Sequence, residues 1–153
     1  MPLTIRPATE ADRAAVLELA PRLREGVASW RPEPGVASAV RGWVEGSLAS
    51  MDEAGHAVLV AELDGRIVGF ITLSPGHHWA GELDGSIGEL VVDDDAEGRG
   101  VGAALVEAII ARAREEGYTR ISVSTGAANA RARGLYARMG FEDEDISLSR
   151  ALT

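Results

Sequence analysis

The segment from Glu97 to Ala103 has the composition of a phosphate-binding loop. It reads Glu97-Gly98-Arg99-Gly100-Val101-Gly102-Ala103 and lies between a predicted strand and a predicted helix. Three glycines let the backbone turn tightly and bring its N–H groups close to a ligand. The N-terminus of the following helix adds the positive end of a dipole, which suits a phosphate or pyrophosphate. The alternative interpretation is a plain turn whose glycines only supply positive φ angles.

Two well-known phosphate-binding loops do not fit this segment. A P-loop needs Gly-Lys followed by Ser or Thr, and the segment has no lysine. The stretch Gly98–Ala103 comes close to the dinucleotide-binding pattern, which also needs an acidic residue about 20 positions on, at the end of the next strand. Here the next predicted strand ends in Val123-Ser124-Thr125. The sequence therefore argues against nicotinamide dinucleotide binding.

The patterning of apolar residues predicts the elements that position this loop. Alternation indicates strands, an apolar stripe at helical spacing indicates helices, and Asp64-Gly65 is a strong hairpin signal. Thr9 and Asp12 are spaced as a capping box, and residues 74–85 are predicted to form a loop. The predicted elements are a strand at Leu3–Arg6, a helix at Glu10–Arg24, a second helix ending near Ser50, strands at Ala57–Leu63, Ile67–Leu73 and Ile87–Val92, a helix at Gly100–Glu116, a strand at Thr119–Ser124, a helix at Asn129–Met139, and two short strands, one around Phe141 and one at Ile146–Leu152.

The order of these elements is β-α-α-β-β-β-α-β-α-β-β. Hairpin-linked strands come first and one β-α-β crossover comes late, which predicts an α/β (α+β) fold with a mixed central sheet and helices on both faces. A chain of 153 residues is long enough for one ordinary domain and too short for two, so residues 1–153 are expected to form a single domain.

Two blocks of the sequence resemble the GNAT superfamily of N-acetyltransferases. The first runs from Gly88-Glu89-Leu90-Val91-Val92 through the glycine-rich loop to Leu105, and it resembles the acetyl-CoA signature of the family. The second runs from Asn129 to Phe141 and is similar to the family's C-terminal helix and the strand after it. The element order before these blocks also fits, so the resemblance covers essentially the whole chain.

The resemblance implies a set of cofactor-binding residues. The two parallel strands at Ile87–Val92 and Thr119–Ser124 would splay apart, and the pantetheine arm would pair with the backbone in the wedge between them. The pyrophosphate would bind the amides of the glycine-rich loop, in agreement with the dipole argument. Glu97 and the preceding Asp93-Asp94-Asp95 depart from the family pattern, which usually has Gln or Arg at the position of Glu97. The implied residues are Leu90, Val91, Val92, Glu97, Gly98, Arg99, Gly100, Val101, Gly102, Ala103 and Asn129.

The resemblance also implies two catalytic residues. Tyr136 matches the tyrosine that usually protonates the departing thiolate of CoA, a role for which a positioned proton donor is suited. The alternative is that Tyr136 is a packed core aromatic. Glu89 lies where many relatives carry a general base, and burial would raise its pKa towards a useful value. The alternative for Glu89 is a structural ion pair with a nearby arginine.

His77, His78 and Trp79 look at first like a metal-binding or catalytic cluster. Neighbouring side chains in an extended segment point in opposite directions, and no third ligand has suitable spacing, so no metal is expected. A surface loop or one wall of the acceptor pocket is the favoured interpretation. Trp30 and Trp43 are expected to pack in the ordinary way, with a place beside the acceptor pocket as the alternative.

Composition and charge limit the classes of partner. Fifteen basic and 24 acidic residues give a formal net charge of −9, which opposes binding to nucleic acid and mildly favours cationic ligands such as amines. No apolar stretch is long enough for a membrane span, and the N-terminus lacks the features of a secretory signal, so the cytoplasm is the expected location. Homodimers are common in the family that the chain resembles.

The expected function is acetyl transfer from acetyl-CoA to a primary amine of a small molecule, peptide or protein. The chain contains no cysteine. An acyl-enzyme on cysteine is therefore excluded, and direct attack in a ternary complex is favoured. A non-catalytic acyl-CoA-binding module with a sensory or regulatory role is the alternative, and a longer acyl group or an alcohol acceptor is a third interpretation.

Overall fold

A computed structural model describes residues 2–153 of the chain, which fold around one five-stranded sheet. The strand order is β1-β2-β3-β4-β5. The first three pairings are antiparallel, and β4 and β5 are parallel, which confirms the predicted mixed sheet. The strands are β1 at Leu3–Pro7, β2 at Ala57–Leu63, β3 at Arg66–His77, β4 at Leu83–Val92 and β5 at Ile121–Val123.

Helices cover both faces of this sheet, also as predicted. They are α1 at Arg13–Leu19, α2 at Glu33–Ser50, α3 at Val101–Glu115 and α4 at Ala130–Arg138. Successive residues of β2 point to opposite faces, so Val60 packs in the apolar layer below α1 and α2 while Leu59 packs in the layer below α3 and α4. Because both faces are covered, the central strands are continuous apolar runs.

The longest helix, α2, has 18 residues and one buried stripe. Val40, Val44 and Leu48 face the sheet, whereas Arg41 and Glu45 form an ion pair on the exposed side. This pattern is that of an amphipathic helix at the surface of a folded domain. Among residues 2–153, no helix combines the length and apolarity that a lipid bilayer requires.

The predicted first helix is shorter than expected. Residues 10–12 form a 3₁₀ turn, α1 covers only Arg13–Leu19, and Ala20–Gly26 continues as a 3₁₀ segment. Pro21 explains the change, because it lacks the N–H that an α-helix would bond to Leu17 and its ring crowds the preceding turn. The predicted capping box is confirmed, since the Thr9 amide donates to Asp12 Oδ2 at 2.8 Å.

The β3–β4 hairpin is longer than the sequence predicts. Pairing continues beyond Leu73 through Pro75 opposite Gly85 to His77 opposite Leu83, so both strands extend into the segment predicted to be a loop. Pro75 has no N–H to donate to a neighbouring strand. This is tolerated because the pairing of β3 with β2 ends at Leu73, which lies opposite Ala57, so β2 offers no partner at Pro75.

The two strands predicted after α4 are not formed. Residues 141–153 contain no helix or strand, and Ile146, Leu148 and Leu152 are 80–96% exposed. A strand needs a neighbouring backbone to satisfy its N–H and C=O groups, and the edge strand β5 offers only three residues. The alternating pattern of this segment is sufficient for a strand prediction but cannot supply a partner.

Candidate active site

The sheet opens between β4 and β5. The two strands pair only where Gly85–Ile87 lies opposite Ile121–Val123. Residues 90–92 of β4 still pair with β3, but no other strand within residues 2–153 pairs with their β5 side. Backbone groups alternate in direction along a strand, and the Asp93 N–H donates to the Val68 carbonyl at 2.7 Å, so Val91 bonds to β3. The backbone donors and acceptors of Leu90 and Val92 face the opening instead and are available to an extended polar ligand.

A β-bulge in β4 orients the side chain that borders this opening. Ile71 pairs with Leu90 and Leu73 with Ile87, so the single residue Thr72 lies opposite both Gly88 and Glu89. The Glu89 amide donates to Thr72 Oγ1 at 2.9 Å, which satisfies the donor that the bulge removes from the ladder. Bulges redirect side chains, and this one turns Glu89 towards α2. No sequence motif marks Thr72, since only the register of β4 against β3 reveals its role.

Glu89 is a buried carboxylate without an ion-pair partner. It is 6% exposed, and Ser47 Oγ on α2 donates to its Oε1 at 2.6 Å. Burial raises the pKa of Glu89, while hydrogen bonds from Ser47 and Thr72 act in the opposite direction. Within residues 2–153 no arginine pairs with this carboxylate, so the ion-pair alternative is wrong. A carboxylate with a raised pKa has the chemistry of a general base.

Tyr136 lies on the other face of the sheet. It is 6% exposed, belongs to the apolar layer of α3 and α4, and has its ring centroid 5.3 Å from that of Phe141. Burial raises the pKa of Tyr136 to about 12, so the phenol keeps its proton at neutral pH. The side chain is therefore both a packed aromatic and a protonated acid.

The glycine-rich loop has the backbone conformation that its sequence predicts. Gly98 and Gly100 adopt φ angles of 79° and 78°, a region that side chains with a Cβ disfavour. Gly100 is the N-cap of α3, so the amides of Val101, Gly102 and Ala103 are the first donors of that helix and have no partners within it. The loop thus directs free N–H groups and a helix dipole at one region, as an anion site requires.

Arginines neutralise the acidic residues around the loop. Arg22, on the 3₁₀ segment Ala20–Gly26, lies 2.8 Å from Glu97 and 2.5 Å from Asp94, and Arg131 also forms an ion pair with Glu97. Asp93 and Asp95 pair with Arg66 on β3 at 2.8 and 3.3 Å. Each acidic residue that departs from the family pattern, Asp93–Asp95 and Glu97, therefore forms an ion pair with an arginine. Arg22 and Arg66 are distant from these acidic residues in the sequence, and no motif marks them as partners.

An open cavity of about 340 Å³ lies beside the loop. Asn129 caps α4, where its Oδ1 accepts the Ala132 N–H at 3.2 Å, and it lines the cavity together with Glu97 and Arg131. Arg99 instead lines a different cavity of about 310 Å³ next to Leu3 and Leu63. Of the predicted cofactor-binding residues, the structure thus brings Glu97 and Asn129 together at this cavity and places Arg99 and Val101 at the other one.

His78 contacts residues that the sequence spacing did not reveal. His78 Nε2 lies 3.3 Å from Glu144, and Asp145 completes a group with ligand atoms within 4.8 Å of one another. The Ala80 N–H donates to His78 Nδ1 at 3.0 Å. A neutral ring that accepts at Nδ1 carries its proton on Nε2, which is then a donor to Glu144 rather than a metal ligand. The group therefore attaches the C-terminal segment to the β3–β4 loop.

The tryptophans are not core residues. Trp30, Trp43 and Trp79 are 68%, 53% and 87% exposed, so the expectation that Trp30 and Trp43 pack in the ordinary way is wrong. Trp43 lies one helical turn before Ser47 on α2 and therefore on the same side of the helix. This places an exposed aromatic side chain on the helix that contacts Glu89.

Comparison with known proteins identifies related chains. The family model described as "Acetyltransferase (GNAT) family" matches residues 21–141. An uncharacterised N-acetyltransferase of Methanocaldococcus jannaschii is 32% identical over 108 residues, which are 68% of this chain and 46% of that protein. The L-methionine sulfoximine/L-methionine sulfone acetyltransferase of Pseudomonas aeruginosa is 33% identical over 92 residues, or 58% of this chain and 52% of that protein. The chain spans about half the length of the curated relatives that it matches.

Solved structures share the fold across the whole chain. A putative acetyl transferase from Pyrococcus furiosus superimposes with a TM-score of 0.79 at 17% identity, covering 99% of this chain and all of the other. A predicted acetyltransferase from Clostridium acetobutylicum, solved with acetyl-CoA, has a TM-score of 0.72 at 17% identity and covers 99% and 97% of the two chains. At these identities the likeness establishes the arrangement of strands and helices.

Proposed function

The chain belongs to the GNAT family of acetyltransferases, and we propose that it is an enzyme that transfers an acetyl group from acetyl-CoA to a primary amine. One observation carries the proposal. Glu89 belongs to β4, which borders the opening, and is a buried carboxylate with a raised pKa; Tyr136 lies in the apolar layer on the opposite face of the sheet and is a buried phenol that stays protonated. A base and an acid of this kind suit acyl transfer to an amine.

The residues around the opening fit acetyl-CoA. The backbone groups of Leu90 and Val92 that face the opening are suited to the amides of pantetheine, and the free amides of the glycine-rich loop are suited to the pyrophosphate. The Asn129 amide group lines the cavity beside that loop, where its N–H groups are suited to a phosphate oxygen, while Arg131 at the same cavity is held in an ion pair with Glu97. Acetyl-CoA, when bound, supplies an acetyl thioester whose leaving group is a thiolate.

Each residue has a defined part in the transfer. Glu89 accepts a proton from the attacking amine, directly or through water, so that the nitrogen lone pair is available. The N–C bond to the acetyl group forms as the C–S bond breaks, and Tyr136 donates its proton to the departing sulfur. The nitrogen of the new amide releases its remaining extra proton to solvent, from which Tyr136 regains a proton. Because the chain contains no cysteine, no cysteinyl acyl-enzyme can form, and the amine attacks the thioester directly in a ternary complex.

The acceptor is proposed to be a cationic amine of a small molecule or of a peptide or protein. The net charge of −9 attracts cations, and the exposed Trp43 on α2 offers an aromatic face beside the helix that contacts Glu89. The Pseudomonas relative named above as an L-methionine sulfoximine/L-methionine sulfone acetyltransferase makes α-amino groups of small molecules the first acceptors to test.

A test of this proposal measures thiol release from acetyl-CoA across a panel of amines. Amine-dependent release is expected from the wild type, with a loss on the order of 10²-fold in Tyr136→Phe. Tyr118→Phe is the matched control, because that hydroxyl donates to the Gly55 carbonyl at 2.8 Å and lies outside the opening. Tight acetyl-CoA binding without turnover on any amine would instead support the acyl-CoA sensor.

A further inference from the structure

The buried carboxylate of Glu89 is fixed from two elements that are distant in the sequence. Its backbone amide donates to Thr72 Oγ1 on β3, and its Oε1 accepts from Ser47 Oγ on α2 at 2.6 Å. Ser47 lies 42 residues before Glu89, within a helix whose neighbouring residues Val44 and Leu48 are buried against the sheet. The rigid packing of α2 therefore holds the hydroxyl in place.

We propose that Ser47 is a positioning residue for the general base, which orients the Glu89 carboxylate towards the acceptor amine and keeps it ionised. The proposal rests on the proposed function, because it gives a role to the hydrogen bond on the residue that takes the amine proton. A hydroxyl that donates to one carboxylate oxygen leaves the second oxygen to accept that proton. The same hydrogen bond connects Glu89 to α2, on which Trp43 lies on the same side of the helix as Ser47.

Three arginines on the elements around β4 form ion pairs with residues other than Glu89. On the elements that pack against β4, Arg22 of the 3₁₀ segment pairs with Glu97, Arg41 of α2 with Glu45, and Arg112 of α3 with Glu116. The titratable residues of β3, Arg66 and His77, lie at its two ends. The residues of β5 carry no ionisable side chain, and Tyr136 of α4 lies on the opposite face. The ionisation of Glu89 is thus governed by its burial and by the hydroxyls of Ser47 and Thr72.

This arrangement predicts a specific pH signature for Ser47→Ala. Loss of a hydrogen bond to the charged form favours the protonated form, so the acid limb of kcat/KM should move to higher pH. We expect kcat/KM of Ser47→Ala to fall on the order of tenfold at pH values below the pKa of the base, and to fall much less at pH values above it. Ser47→Thr keeps the hydroxyl and should restore the profile.

The experiment records pH profiles of kcat/KM together with a ¹³C NMR titration of the Glu89 carboxyl in the wild type, Ser47→Ala and Ser47→Thr. Ser38→Ala is the matched control, since Ser38 is exposed on the same helix. The NMR titration does not depend on turnover and should show the Glu89 pKa raised by Ser47→Ala alone. A uniform loss of activity at all pH values, with the carboxyl titration unchanged, would overturn the role of Ser47.

Glu89→Gln separates this inference from the proposed function. If Glu89→Gln abolishes amine-dependent turnover while Ser47→Ala leaves the acid limb and the NMR titration in place, the base is retained and the Ser47 proposal fails. If Glu89→Gln keeps wild-type turnover, Glu89 is not the base, and the proposed role of Ser47 fails with that assignment. Thermal unfolding of each variant distinguishes either outcome from a loss of fold.

Discussion

The Arg22 guanidinium lies 2.8 Å from the Glu97 carboxylate, although the two residues are 75 positions apart in the chain. Arg131 pairs with the same carboxylate from the start of α4. Glu97 therefore brings the 3₁₀ segment Ala20–Gly26 and α4 together at the entrance of the glycine-rich loop. It also occupies two arginines that a phosphate would otherwise attract.

Removing the negative charge of Glu97 should strengthen coenzyme A binding. In Glu97→Gln, Arg22 and Arg131 gain free donors beside the loop, and an anion that repels phosphate is lost. We expect about a two- to fivefold lower Kd for coenzyme A at low salt, with a smaller effect at high salt. Isothermal titration calorimetry at two salt concentrations measures both effects.

Asp95→Asn is the matched control for that prediction, because it changes the net charge by the same amount and removes only one of two partners of Arg66. Its Kd should change little. Weaker binding in Glu97→Gln would mean that the carboxylate mainly holds the loop in its binding conformation.

A side chain at the position of Gly100 should destabilise the fold. It adopts a φ of 78° as the N-cap of α3, and a Cβ in that conformation costs on the order of 1 kcal/mol. Gly100→Ala should therefore lower the free energy of unfolding and weaken coenzyme A binding. Gly42→Ala is the opposite case, since a Cβ added to this helical glycine would meet no atom within 4 Å, and the change should stabilise by about 0.5–1 kcal/mol. Urea denaturation of both variants tests the contrast, which fails if they shift stability in the same direction.

The buried Glu89 carboxylate should reduce stability above its pKa. Because the pKa of Glu89 is raised in the folded state, the group stabilises the fold at acid pH, and this contribution is lost as pH rises through the folded pKa. Glu89→Gln, which can still accept from Ser47, should stabilise by on the order of 1 kcal/mol at pH 8 and by little near pH 4. Denaturant titrations at the two pH values check this, and equal effects at both would contradict it.

Asp12 should contribute to stability with the opposite pH dependence. Hydrogen bonds from Arg6, at 2.8 and 2.9 Å, and from the Thr9 amide lower the pKa of Asp12 from 3.8 to about 2. The stabilisation is present above the unfolded pKa and is lost as pH falls from about 4 to about 2. Asp12→Asn should cost on the order of 1–2 kcal/mol at pH 7 and less at pH 2. Asp52→Asn, at an exposed position, removes the same charge and serves as the control in the same pH-dependent unfolding series.

Sequence patterns are most informative where the cause of the structure is local. The Asp64-Gly65 hairpin, the ends of α3 and α4 and the positive φ angles at Gly98 and Gly100 each depend on a few neighbouring residues, and the structure confirms them. The failed predictions are of two kinds. Pro21 ends α1 early, a local signal that outweighs the apolar stripe, whereas the strand predicted at Ile146–Leu152 has the right alternation but no partner strand.

The amino-acid sequence by itself therefore determined most of the elements and the mixed sheet, and its resemblance to the family pointed to the candidate catalytic pair. The tertiary structure alone decided how those residues are tuned. The bulge that turns Glu89 towards α2 depends on the register of β4 against β3, and the partners of Glu89 and Glu97 come from segments 42 and 75 residues away. Hydrogen bonds and ion pairs act over about 3 Å in space, and only the folded chain brings such distant residues within that distance.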